Sequence, residues 1–169
     1  MADVAGSVIP SALDQKGNTT IWWVPTIANL SAPTVAEIGA SGSYRLTYDF
    51  TTDGFNLAGS QDTVDDDRLT LPQPLQSLDV NKVTLDLKYV QSSDAHSAQA
   101  ILISGTPGYF VLRQNVPDAT LIAAAQTVRV IPVTLGVQNP GPIDGSGKST
   151  IVQKTSITGV LGDPVAVAA

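Results

Sequence analysis

The sequence contains no cysteine and a single histidine, His96. The missing cysteines exclude a disulfide framework, a thiol nucleophile and cysteine-bound zinc. One histidine cannot build a multi-histidine metal site, and any histidine-based triad would have to use His96. Charge is scarce as well: 14% of residues are charged, against about a quarter in an ordinary globular chain. Such a low fraction suits a subunit largely covered by neighbours. The charge present is acidic on balance, with a net value of −6, so the basic stripe of a duplex-DNA binder is lacking. No run of 18 apolar residues is present, and no bilayer-spanning helix is expected. The first residues, MADVAGSVIPSALDQKGN, lack the basic-then-apolar order of a secretory signal. The sequons at Asn18 and Asn29 then read as chance matches.

What remains is a β-forming chain of 169 residues, 43% apolar. Its size fits one domain, residues 1–169, able to bury about two thirds of its unfolded surface. Val, Ile and Thr contribute 46 residues, whereas Glu and Lys together contribute six. Strands favour the first set and exposed helix faces the second. The 14 glycines and 11 prolines cut the chain into short elements.

Residues 43–52 alternate, with Tyr44, Leu46, Tyr48 and Phe50 facing a core and Arg45, Thr47, Asp49 and Thr51 facing water. Val83, Leu85, Leu87 and Tyr89 alternate likewise with Thr84, Asp86 and Lys88. Leu78 and Val80 stand in the opposite frame, which a bulge or turn near Asn81 would correct. Further strands are expected at 21–24, 109–113, 128–137, 150–161 and 165–168. Pro132 argues that 128–137 is an edge strand or carries a bulge. One helix is expected at 94–102, capped by Ser93; 118–126 reads as either a short helix or a loop. Two stretches have no clear period: an N-terminal arm, 1–19, and a long connection, 53–76. A connection that long is expected to be functional or disordered.

None of the candidate chemical motifs builds an active centre. GPIDGSGKST at 141–150 approaches a phosphate loop, but the glycine required six residues before Lys148 is replaced by Pro142, and a strand-like run follows. Asp65, Asp66 and Asp67 lack the alternate spacing of a calcium loop. They read as a solvated turn or as an inter-subunit ion pair with Arg68, more readily than as a metal site. His96 has no identifiable acid or serine at catalytic spacing. Trp22 and Trp23 put one ring on each face of a strand, one for the core and one to cover a neighbour. Neither an enzyme nor a cofactor is expected.

Several segments in order resemble the major tail proteins of long-tailed bacteriophages, the tail tube subunits, especially those of actinobacteriophages. They are TIWWVP at 20–25, APTVAEI at 32–38, YDFTTDGF at 48–55, TVDDDRL at 63–69, LDLKYV at 85–90, GTPGYFVLR at 105–113, VRVIPV at 128–133 and the closing TSITGVLGDPVAVAA. The resemblance implies a mainly β fold: a sandwich or partial barrel flanked by a helix, with an extended N-terminal arm and a long inter-subunit loop. It implies six-membered rings whose sheets join around a lumen, stacked into a tube and bridged by arm and loop. It implies that genomic DNA passes through without specific binding. It also implies tape measure and tail-end proteins as partners, a place in the virion tail, synthesis in the host cytoplasm and no membrane. A further immunoglobulin-like domain, common after the tube domain, is not expected after Ala169.

On this reading, 53–76 packs on an adjacent subunit. Asp65, Asp66, Asp67 and Arg68 make charged contacts, and Leu69 and Leu71 are the buried anchors. Trp22 and Trp23 are further inter-subunit candidates. Two wet strand faces compete to line a net-negative lumen: Arg45, Thr47 and Asp49, or Thr84, Asp86 and Lys88. The rival reading is a β-sandwich binding module, carbohydrate-binding or adhesin-like, which needs neither the long connection nor the arm.

Overall fold

The computed structural model describes residues 12, 14–68, 73–142 and 147–169. Within them the chain forms one antiparallel sheet of eight strands: β1 (Thr20–Val24), β2 (Tyr44–Arg45), β3 (Phe50–Asp66), β4 (Leu75–Val90), β5 (Pro107–Arg113), β6 (Thr127–Pro140), β7 (Thr150–Ile157) and β8 (Val165–Ala166). The strand order is β2-β1-β5-β6-β7-β4-β3, with β8 paired to the start of β6. β2 and β3 thus lie at opposite edges although only residues 46–49 separate them. That link spans at most about 18 Å at 3.3–3.6 Å per residue. The edges of a flat sheet with this order would lie about 29 Å apart at roughly 4.8 Å per strand. The sheet is therefore curled into a partial barrel. The link itself turns back, Leu46 N–H donating to Ile21 and Asp49 N–H to Leu46.

The period-two pattern fills the barrel. Leu85, Leu87 and Tyr89 point inward with Trp23, Leu46, Phe110, Leu112, Ile131 and Val133. A second core lies outside the β1-β5-β6 wall, where Trp22, Val24, Val111, Val128 and Val130 pack under Ile27, Ile38 and Val167. A four-residue helix, α1 (Val35–Ile38), closes this side. Its start is set by a capping box: Glu37 N–H donates to Thr34 Oγ1 at 3.2 Å and Thr34 N–H donates to the Glu37 carboxylate at 2.8 Å. The chain's end is tied to the same place, Ala168 bridging Thr34.

Two expectations change and two open alternatives resolve. Residues 43–52 are not one strand, because the chain must leave one sheet edge and reach the other; Leu46 stays buried but Tyr48 is turned into solvent. The expected helix at 94–102 shrinks to α2 (Ala98–Ile101) with Ser97, not Ser93, as its N-cap. Asp94 Oδ1 accepts His96 N–H at 2.9 Å and Asp94 O accepts Ser97 N–H, so local polar groups compete with helix until 98. Residues 118–126 are loop, since the carbonyls of Pro117, Thr120 and Leu121 accept from Arg113. The bulge alternative for 128–137 holds, the β6–β7 register shifting between Leu135 and Gln138, and Pro132 lies in the central strand β6. Its carbonyl accepts Thr158 N–H, so its missing N–H faces the gap between β8 and β7.

Candidate assembly surfaces

Most of the described part of the long connection 53–76 is strand: residues 53–66 lie in β3 and 75–76 in β4. β3 and β4 pair from Phe50↔Tyr89 to Asp66↔Leu75, but β7 covers β4 only from Asp86 to Val90. Residues 75–84 and their β3 partners therefore stand off the barrel as a two-stranded ribbon, about 30 Å long at 3.3 Å per residue. A bulge in β4 between Leu78 and Asn81 sits where the frame change required it. The ribbon exposes Val64, Leu75, Leu78 and Val80, the last two by 73% and 70%. Cross-strand polar contacts hold it: Lys82–Asp62 at 2.6 Å, Gln76–Asp65 at 2.9 Å and Gln61 to the Asp79 carbonyl at 2.8 Å. Arg68 pairs within the ribbon with Asp66 at 2.7 Å, and Asp65 and Asp67 have no cation beside them among the described residues. Leu69 and Leu71, the expected anchors, lie outside the described residues. Among the described residues the outer edge of β3 has no strand partner, leaving a row of free backbone donors and acceptors.

The two wet faces differ. Thr84, Asp86 and Lys88 form a true outward strand face, continued across the sheet by Lys154 and Asn56 opposite Asp86. Lys88 reaches Asp53 at 3.4 Å. Arg45, Thr47 and Asp49 do not form a face, because 46–49 is the turn between sheet edges. Arg45 pairs with Asp118, and Thr47 Oγ1 accepts Ile21 N–H at 3.0 Å. Burial raises the Asp49 carboxyl pKa, against the lowering effect of the Ala98 N–H, with Asp94 adding repulsion.

Sequence reasoning missed the hub at Asp118. It accepts from Tyr48 and Thr20 and pairs with Arg45. Burial opposes its charge, but these hydrogen bonds and the Arg45 guanidinium hold its pKa below the usual carboxylate value. Beside it Arg113 is fully buried. It donates to Gln126 at 2.8 Å, to the Thr120 carbonyl at 2.8 Å and to Thr20 Oγ1 at 3.0 Å, and lies 5.1 Å over the Trp22 ring. Both tryptophans are buried within the chain: Trp23 packs edge-on to Phe110 at 5.0 Å and Trp22 lies in the outer core. His96 is an exposed turn residue 3.7 Å from Asp94.

Together these features offer a free sheet edge, an apolar ribbon and no convergent set of reactive groups among the described residues. A family model described as phage tail tube protein matches residues 7–169. The chain belongs to the phage tail tube protein family. As a member it is a structural component of the phage tail, one that self-assembles into a tube. No curated protein matches the chain. In a tail tube protein the ribbon, the free β3 edge and the wet face of β4 and β7 are the surfaces to consider. Of the glycine-rich stretch, 143–146 lie outside the described residues, and Lys148 and Ser149 lead into strand β7, not a helix. Among the described residues no cluster of three metal-ligating side chains occurs, and no helix is long and apolar enough to cross a membrane.

Proposed function

We propose that six copies close into a ring and that stacked rings form the conduit through which the genome leaves the particle. The single observation behind this reading is the β3–β4 ribbon. An isolated two-stranded hairpin is marginal in water, yet this one carries four exposed aliphatic side chains and a free edge. Both features are resolved by a neighbour that pairs with the edge and covers the side chains. Such a contact joins different patches on identical chains, so it closes into a ring by rotation or propagates as a stack.

The face carrying Thr84, Asp86 and Lys88 is the proposed lumen surface. With −6 per chain, a six-membered ring carries about −36, and a wall of like sign offers phosphates few counterion-releasing contacts. DNA then slides instead of binding. The chain performs no catalysis in this role; a tape measure protein occupies the growing tube, and other tail proteins close its ends.

The test is negative-stain microscopy of the purified protein beside a variant in which residues 61–81 are replaced by Asn-Gly. That change rejoins the Ser60↔Lys82 pair through a two-residue turn. Wild type is expected to form uniform tubes and the variant none, with the β signal in circular dichroism retained. Monodisperse wild-type monomers at high concentration, or tubes from the variant, overturn the reading.

A further inference from the structure

Phe50 and Phe55 are five residues apart on β3, an odd spacing that would put their rings on opposite faces of a regular strand. Both nevertheless pack against the barrel core. The reason is a bulge. Phe50 pairs with Tyr89 and Phe55 with Leu87, so residues 51–54 all lie opposite Lys88. On the inner side the two rings meet edge to face at 5.6 Å, and both contact Phe110. On the outer side a polar bracket spans the bulge. Thr51 Oγ1 donates to Asp53 Oδ1 at 2.9 Å and lies 3.3 Å from the Lys88 carbonyl oxygen, and Lys88 Nζ donates to Asp53 Oδ2 at 3.4 Å. Gly54 approaches the same carbonyl so closely that no Cβ fits.

The ribbon depends on this base. Beyond Leu57 it is exposed on both faces, and register is weakly specified where neither face is buried. A slip of one residue would exchange its two faces. A bulge pins register, bends its strand and adds twist. Nothing else props β3 here among the described residues. Its outer edge has no strand partner, and an open groove of about 980 Å³ runs along Thr51, Thr52 and Phe55. We propose that the 51–54 bulge is the positioning element of assembly. It fixes the register and direction of the ribbon, and Thr51, Asp53 and Gly54 are positioning residues for tube formation. The consequence for tubes rests on the tube reading; the aim of the ribbon in the monomer does not.

The absence of native cysteine allows spin labels to be placed at will. Val64→Cys carries one on the ribbon and Ser156→Cys another on the exposed side of β7. Pulsed electron paramagnetic resonance on the monomer then reads where the ribbon points. The native bulge is expected to give one narrow distance. Thr51→Val with Asp53→Ala, which removes the bracket, is expected to broaden or shift it, whereas Thr51→Ser with Asp53→Asn, which keeps a donor and an acceptor, restores the native distance. Without labels, the first pair is expected to lose tubes in negative stain and the second to keep them, both with the β signal of wild type in circular dichroism. A broad distribution with the native bulge, or a narrow one unchanged by removing the bracket, overturns the assignment and leaves the tube reading standing. So does loss of the β signal, which would make the bulge a support of the barrel itself. Normal tubes from a chain with a broadened distance overturn the role in assembly. Absence of wild-type tubes overturns that role and the tube reading together, while the monomer distances still decide whether the bulge aims the ribbon.

Discussion

Two partly buried carboxylates in this chain behave oppositely, and their signs follow from their surroundings. Asp118 is held below its ordinary pKa by Tyr48, Arg45 and Thr20 outweighing burial. Its folded pKa is below its unfolded one, so its stabilisation is present above the unfolded value near 4 and is lost as pH falls through the folded value. Asp49 is raised, chiefly by burial, so its ionisation costs stability above its folded pKa and that cost vanishes in acid. Asp118→Asn is therefore expected to lower the unfolding temperature at pH 7 and Asp49→Asn to raise it slightly. The two differences should shrink together as pH approaches 3. Thermal unfolding at pH 7 and pH 3 measures this; an unchanged gap at both sinks it. Arg113→Ala should cost more, about 3–5 kcal/mol, because it strands the Thr120 carbonyl and Gln126 Oε1 without a donor and leaves a void beside the Trp22 ring. The unfolding temperature should drop by about 6 °C or more. These roles were not legible: Arg113 reads as an ordinary outward charge, and nothing in the sequence says that a loop returns to cover it.

At the scale of elements, the alternating strand of Val83–Tyr89 was readable because one face is buried in this chain and the other is wet. Residues 58–66 were not, because neither face is buried, and of 75–82 only Leu78, Val80 and the frame change near Asn81 were readable. Gly59, Ser60, Gln61 and Asp62 show no alternation when no core demands it, and register is weakly written in such strands. The structure of the ribbon lies in its backbone pairing, which has no side-chain code. α1, by contrast, carried a readable start signal in Thr34 and Glu37, a capping box three residues apart, that was passed over because the helix it begins is four residues long. Thr34→Ala should cost about 1 kcal/mol, seen as a small drop in unfolding temperature; no drop would mean the box is redundant with the Ala168 bridge. The wide bulge at 51–54 rests on Gly54, where an added Cβ would lie 2.0 Å from the Lys88 carbonyl oxygen. Backbone cannot yield there as a flexible side chain would, so Gly54→Ala is expected to destabilise by roughly 1–3 kcal/mol. A neutral result in denaturant unfolding would show that the bulge can re-form elsewhere.

The whole molecule divides into a part that holds itself together and a part that waits for a partner. The partial barrel buries both of its cores within the chain, whereas the ribbon beyond Leu57 is exposed on both faces. Local stability follows buried contacts, so the two parts should open with different free energies. In the monomer, amides of the ribbon exchange through local fraying, while those of β5 and β6, central in the sheet, exchange only on global unfolding. Assembly changes one of these and not the other. Once a neighbour pairs with the β3 edge and covers Val64, Leu75, Leu78 and Val80, ribbon amides should become protected to nearly the level of the barrel, with β5 and β6 little altered. Hydrogen–deuterium exchange on monomer and tube reads both states in the same peptides. Ribbon protection equal to that of β5 and β6 already in the monomer would mean that the ribbon is stable on its own, and its exposed aliphatic residues would then no longer argue for a neighbour.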